Sequence, residues 1–184
     1  DLSATSTLND ASLAVTSCIV KAEAAATIDV QSSQLRTTEN FTAQATTTVN
    51  TSTFTTPIAA SVQRVDARAT VNVGGSSTLT VGGDAQLGAT TSVSTNATPT
   101  SALANKAGDA AVAVSDVTSV AQVRVTGTTT ATVTGKLGLT AANTVSTTSI
   151  ADAAAAGGSA AGAAVAVSVI DSTTSAVVDG QAVI

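Results

Sequence analysis

The residues able to do chemistry are few and scattered. The chain has 184 residues, no histidine, one cysteine and twelve acids. Without histidine there is no imidazole base for a Ser-His-Asp triad and no imidazole ligand for zinc. Cys18 lacks the partner that would activate its thiol as a nucleophile. A lone cysteine also cannot close a disulfide within the chain. Paired carboxylates could cleave a glycosidic bond, but the acids are spread thinly. With no Trp or Tyr and two Phe, there is no aromatic platform for a sugar ring. Gly82-Gly83-Asp84 sets an acid on a glycine turn, an oxygen donor of the kind calcium takes. Its counterpart, Thr134-Gly135-Lys136, puts a cation in the same place, so an ordinary exposed turn is expected. No catalysis, metal or other cofactor is expected.

Hydroxyl groups are the abundant functional group. Thr46/Thr48, Thr78/Thr80, Thr128/Thr130 and Thr132/Thr134 each set two threonines on one face of an extended segment. Ice binding would need such a pair on every turn of a coil, in line. The pairs are irregular in the sequence, and threonine is a common strand-surface residue, so ice binding is a minor alternative. Asn40-Phe-Thr42, Asn50-Thr-Ser52 and Asn96-Ala-Thr98 fit the N-glycosylation sequon, a match that a Thr-rich chain produces by chance.

The elements that would carry these residues are strands. In residues 111–149, Val112 and Val114, Val123 and Val125, Ala131 and Val133, and Leu137 and Leu139 each sit two apart. Period two predicts strands with one buried face. The stretch aligns without a gap on residues 59–97, 52 positions earlier: Val114 falls on Val62, Val123 on Val71, Leu139 on Leu87. A further copy starts at Ala164, 53 positions after Ala111. A fainter one lies upstream, with Ile19 on Val62 at 43 and Leu35 on Leu79 at 44. Cys18 then matches Ser61 as a small buried residue. The predicted organisation is a single repeat array over 1–184, with units near 13–57, 58–110, 111–163 and an incomplete 164–184. Repetition at this period points to a solenoid or a string of small domains. Residues 98–110 and 150–163 interrupt the pattern; a short helix at 101–107 is compatible with the Ala and Leu there.

Composition narrows the class. Charged residues are 10% of the chain and hydrophobic residues 43%, the latter mostly Ala and Val. Such a core must be thin, which suits closely stacked strands better than a sandwich about 10 Å thick. Low net charge and recurring valines argue against disorder. Seven scattered basic residues without aromatics do not make a nucleic-acid surface, and no run is long and apolar enough for a membrane-spanning helix. The expected fold is all-β: a β-solenoid (parallel β-helix) of roughly fifty-residue units, each filled by two coils of about 25 residues. An antiparallel β-sandwich is the alternative.

The pattern AAVAVSVIDSTTSAVVDG, followed in the full units by TVTG or TVGG, a leucine, TVST and an Ala/Gly-rich stretch, resembles repeats of large secreted bacterial surface proteins. These are the autotransporter-like and filamentous-haemagglutinin-like adhesins. The resemblance covers most of 58–184 and weakly the rest. It implies secretion to the cell surface or beyond, a β-helical stalk, and a part in adhesion, surface coating or biofilm. The leading expectation is therefore a non-catalytic extracellular structural segment, continuing into a longer chain or associating end to end. The chain begins near the end of one unit and stops inside another, so both ends are expected to be open in phase, as in a mature form or a fragment. Candidate assembly contacts are Leu2, Leu8 and Leu13 at one end and Val165, Val167, Val169, Val183 and Ile184 at the other. The alternative is an adhesin module that recognises a host surface or a glycan, through the irregular stretches 31–57 or 98–110.

Overall fold

The computed structural model describes residues 1–10, 17–53, 60–101, 108–153 and 161–179. These form β1 (Leu2–Asp10), β2 (Ser17–Gln31), β3 (Gln34–Thr37), β4 (Phe41–Thr53), β5 (Ala60–Gly74), β6 (Thr78–Val81) and β7 (Ala85–Ala97). There follow β8 (Thr100–Ser101), β9 (Gly108–Val125), β10 (Thr130–Val133), β11 (Leu137–Ser149), β12 (Asp152–Ala153) and β13 (Ala161–Val178). Sheet A has the order β1-β4-β7-β11, sheet B β13-β9-β5-β2, sheet C β10-β6-β3 and sheet D β12-β8. Among the described residues the chain is all-β, without a helix, and every pairing is parallel. That arrangement does not fit the antiparallel sandwich. Residues 102–107, most of the segment read as a short helix, lie outside the described residues, and Ser101 is in a strand.

Parallel partners require long connections, and here each connection is made of the other sheets. From β5 the chain runs through β6 in sheet C and β7 in sheet A before β9 returns to sheet B. The pairings join residues that align in the sequence: Val62 with Ile19 and Val114, Leu79 with Leu35, and Val49 with Val93. Neighbours in sheet B are 43, 52 and 53 positions apart. The expected spacing of about 25 is not observed. The long strands of sheets A and B, 13 to 18 residues in β4, β5, β7 and β9, use up one whole aligned stretch before the chain comes back to its starting sheet.

Sheets A and B face each other, and the residues that fill the space between them change along the strands. Where sheet C closes one end, the interior is filled by Ile28, Phe41, Val71, Leu79, Val81, Leu87 and Val123. Further along sit Val49, Val65, Val93 and Val117 with alanines between them. At the far end the two sheets touch through small polar groups. Thr51 donates to Gln63 at 3.0 Å, Thr53 and Ser61 hydroxyls lie 2.9 Å apart, and Ser149 donates to Ser115 at 2.9 Å. The buried hydroxyls and the Gln63 amide are hydrogen-bonded to one another there, which is what makes a polar interior tolerable.

In β9 the buried residues include Ala111, Ala113, Ser115, Val117, Ser119, Ala121, Val123 and Val125. Val112 and Val114 lie on the opposite, half-buried face. The expectation that this valine pair marks the buried face is therefore corrected at the start of the strand and holds at Val123 and Val125. At its start β9 turns Ala111, Ala113 and Ser115 inward, in the part of the interior that holds the hydrogen-bonded Gln63, Thr51, Thr53 and Ser61, and its valines there lie on the other face.

Candidate functional site

The surfaces able to bind are the sheet edges, the corners and the outer faces. At the β13 edge, Ala164, Ala166 and Ser168 are in register with the buried Ala111, Ala113 and Ser115. Val165, Val167 and Val169 alternate with them and are exposed on the outer face. The apolar groups of the inner phase are Ile170, in register with Val117, and Val178, in register with Val125; they are 49% and 41% exposed. These two were missed in the sequence, where the conspicuous Val-x-Val-x-Val run drew attention instead. Their signal was the alignment of Ile170 with Val117, which lies six residues before Val123 and so on the same face of the strand.

At the opposite side of the molecule, Leu2 is exposed and Leu8 is half-buried against the Val49–Val65–Val93 cluster. Leu13, Val183 and Ile184 lie outside the described residues. The described members of the two groups thus sit on different strands, β1 and β13, at opposite ends of sheets A and B. Ile19, unpredicted, is 80% exposed on β2 and heads an outward row through Val62, Val114 and Val167. Cys18 is in register with Ser61.

Charge is concentrated on the outer face of sheet B, and much of it is paired. Lys21 meets Glu23 at 2.6 Å, Arg64 meets Asp116 at 3.2 Å and Arg68 meets Asp66 at 2.8 Å. The hydrogen bond and charge of Asp66 hold the Arg68 guanidinium above its usual pKa. All three pairs are well exposed, so each contributes little to stability. On sheet C an open groove of about 670 Å³ follows Arg36, Thr80 and Thr132. It has no acid or nucleophile–base pair along it, so it offers hydrogen bonding and no acid–base chemistry.

The corner between sheets C and A holds the turn weighed above for calcium. The Asp84 N–H donates to Asn40 Oδ1 at 2.8 Å, and Asp84 Oδ1 accepts the Lys136 N–H at 2.8 Å. Asp84 is thus engaged in tying one layer to the next. No group of three His, Cys, Asp or Glu side chains is placed to share an ion among the described residues. Of the threonine pairs, Thr78/Thr80 is in register with Thr130/Thr132 on sheet C. Thr46/Thr48 is in register with Thr5/Thr7 and with Thr90/Ser92 on sheet A. Thr128 sits at a corner, donating to Gly75 O at 3.2 Å. Comparison of the chain with protein-family models, curated proteins and solved structures finds no match.

Proposed function

We propose that the chain is a β-solenoid segment of a secreted, non-catalytic structural protein, a stalk of a surface adhesin or a subunit of an extracellular filament. The observation that carries this reading is the unbroken parallel register of sheets A and B, in which each neighbour lies about one repeat unit away. Backbone hydrogen bonds then run along the stacking direction, and each layer templates the next. The chemistry of such a part is mechanical. The uncovered inner face of β13, with Ile170 and Val178, accepts a further parallel strand, from a second copy or from continuing chain, because an unpaired strand edge is a template for pairing.

Electron microscopy of the purified chain, alone and after deletion of 164–184, tests this. Regular filaments that vanish on deletion are expected of a self-assembling subunit. Ile170→Lys with Val178→Lys should abolish them as well while leaving the body folded, since both side chains lie on the exposed edge. Filaments unchanged by either alteration would rule out assembly through β13. Separate short rods from the intact chain would restrict the proposal to the stalk.

A further inference from the structure

We infer that the outer face of sheet A is an ice-binding surface. Outward positions of its four strands form two adjacent rows without slip. One row is Thr5, Thr46, Thr90 and Ala142; the other is Thr7, Thr48, Ser92 and Thr144. The rows are not spelled out in the sequence, because Ser92 breaks the Thr-x-Thr pattern and β1 joins them only through its register with β4.

Three properties single the face out. First, it is uncharged: every outward side chain of β1, β4, β7 and β11 is Ser, Thr, Asn, Gln, Ala or Gly. The outer face of sheet B carries Lys21, Arg64, Asp66 and Arg68, and that of sheet C carries Arg36. Second, among the described residues the hydroxyls of both rows make no hydrogen bond to the protein, whereas the neighbouring Asn50 and Asn9 bond to each other at 2.8 Å. Their donors and acceptors are left for water. Third, threonine is stiff about χ1, and Thr46, Thr48, Thr90 and Ser92 are half-buried among their neighbours. Over Thr5, Thr46 and Thr90 in one row and Thr7 and Thr48 in the other, hydroxyl and methyl groups therefore repeat at about 4.8 Å across strands and about 6.7 Å along them, spacings close to oxygen repeats on a face of ice; Ser92 and Thr144 continue the second row as hydroxyls, and Ala142 ends the first.

Other occupants fit less well. A charged ligand meets no counter-charge, and a sugar ring meets no aromatic side chain. The inference does not rest on the structural role proposed above, whose test concerns β13.

The experiment is partition of the intact chain into a slowly growing ice front, with ice recrystallisation as a second reading. The chain should concentrate in the ice and arrest grain growth. Thr46→Lys with Thr48→Lys, in the middle of both rows, should return it to the liquid fraction with an unchanged circular dichroism spectrum. Gln122→Lys, on the outer face of sheet B, should behave as the parent. Exclusion of the parent chain from ice would overturn the inference. So would equal partition of the threonine variant, equal loss in the Gln122 variant, or a threonine variant that alters only the oligomeric mass.

Discussion

Asn40 and Asp84 occupy equivalent corner positions in successive layers, and the Asn40 side-chain oxygen accepts the Asp84 backbone N–H at 2.8 Å. Asp84 repeats the interaction with Lys136. Lysine has no acceptor to offer a following layer, so the ladder stops there. Asp84→Ala removes the acceptor for the Lys136 N–H and should lower stability by about 1 kcal/mol in urea unfolding, and Asp84→Asn, which keeps an oxygen, by less. Equal midpoints for parent and alanine variant would show that water replaces the bond without cost.

The ladder also explains a glycine. A Cβ on Gly83 would run into Asn40 Oδ1 and lie 3.1 Å from the Asn40 nitrogen. Gly83→Ala should therefore cost about 1–3 kcal/mol, the usual range for overpacking. Because the closest obstacle is the tip of a side chain, the penalty should shrink in an Asn40→Ala background. A double-mutant cycle reads this coupling directly. Strict additivity would place the obstacle in the backbone instead.

How much of this was legible in the sequence depends on the residue. Val62, Val114 and Leu79 pair as the alignment offsets imply, because a parallel register at one-unit spacing brings like residues side by side. The all-β character followed from period two. The inward phase of β9 did not follow, since alternation says which residues share a face and leaves open which face is inside. That choice is made by what faces the strand across the interior, where Ala113 and Ser115 meet the end that holds Gln63, Thr51 and Thr53, a tertiary property. The rows through Thr5, Thr46 and Thr90 were hidden for a related reason: they are formed by register across strands of unlike spelling. Ile170 could have been found from its alignment with Val117.

The phase of β9 is testable with two substitutions next to each other. Ala113 is fully buried and Val114 is half-buried on the other face. Ala113→Val adds two methyl groups at a position with no exposed surface and should cost about 1–3 kcal/mol. Val114→Ala opens no cavity in the interior and should cost under about 1 kcal/mol. Thermal or urea unfolding of the pair decides it; the reverse order of effects would put Val114 inside.

Thr95 offers a stabilising change. Its side chain is 2% exposed, and its Oγ1 is buried without a hydrogen-bond partner among the described residues. A buried hydroxyl left unpaired costs about 1–3 kcal/mol. Thr95→Val keeps the shape and removes the orphan, so the variant should be more stable by about 1 kcal/mol. A loss of stability would mean that the hydroxyl is bonded, most simply through a buried water.

Among the described residues Gln63 is the largest polar side chain in the interior, fully buried between the two sheets. Its Nε2 donates to the Asn96 carbonyl at 2.7 Å and its Oε1 accepts from Thr51 at 3.0 Å. Both ends of the amide are therefore used, which is what makes its burial tolerable. Gln63→Glu keeps size and shape but replaces the donor with an acceptor. The Asn96 carbonyl and a carboxylate oxygen would then face each other, away from water. Burial and that contact both favour the protonated acid, so its folded-state pKa rises above the unfolded value of about 4.3. A group that binds its proton more tightly when folded makes stability fall as pH rises through that interval. At pH 7 the variant should be destabilised by about 3 kcal/mol or more. Towards pH 4 most of that loss should be recovered, since the protonated acid can again donate to Asn96. Urea unfolding of parent and variant at both pH values measures the difference, and a penalty independent of pH would mean that the side chain has left the interior.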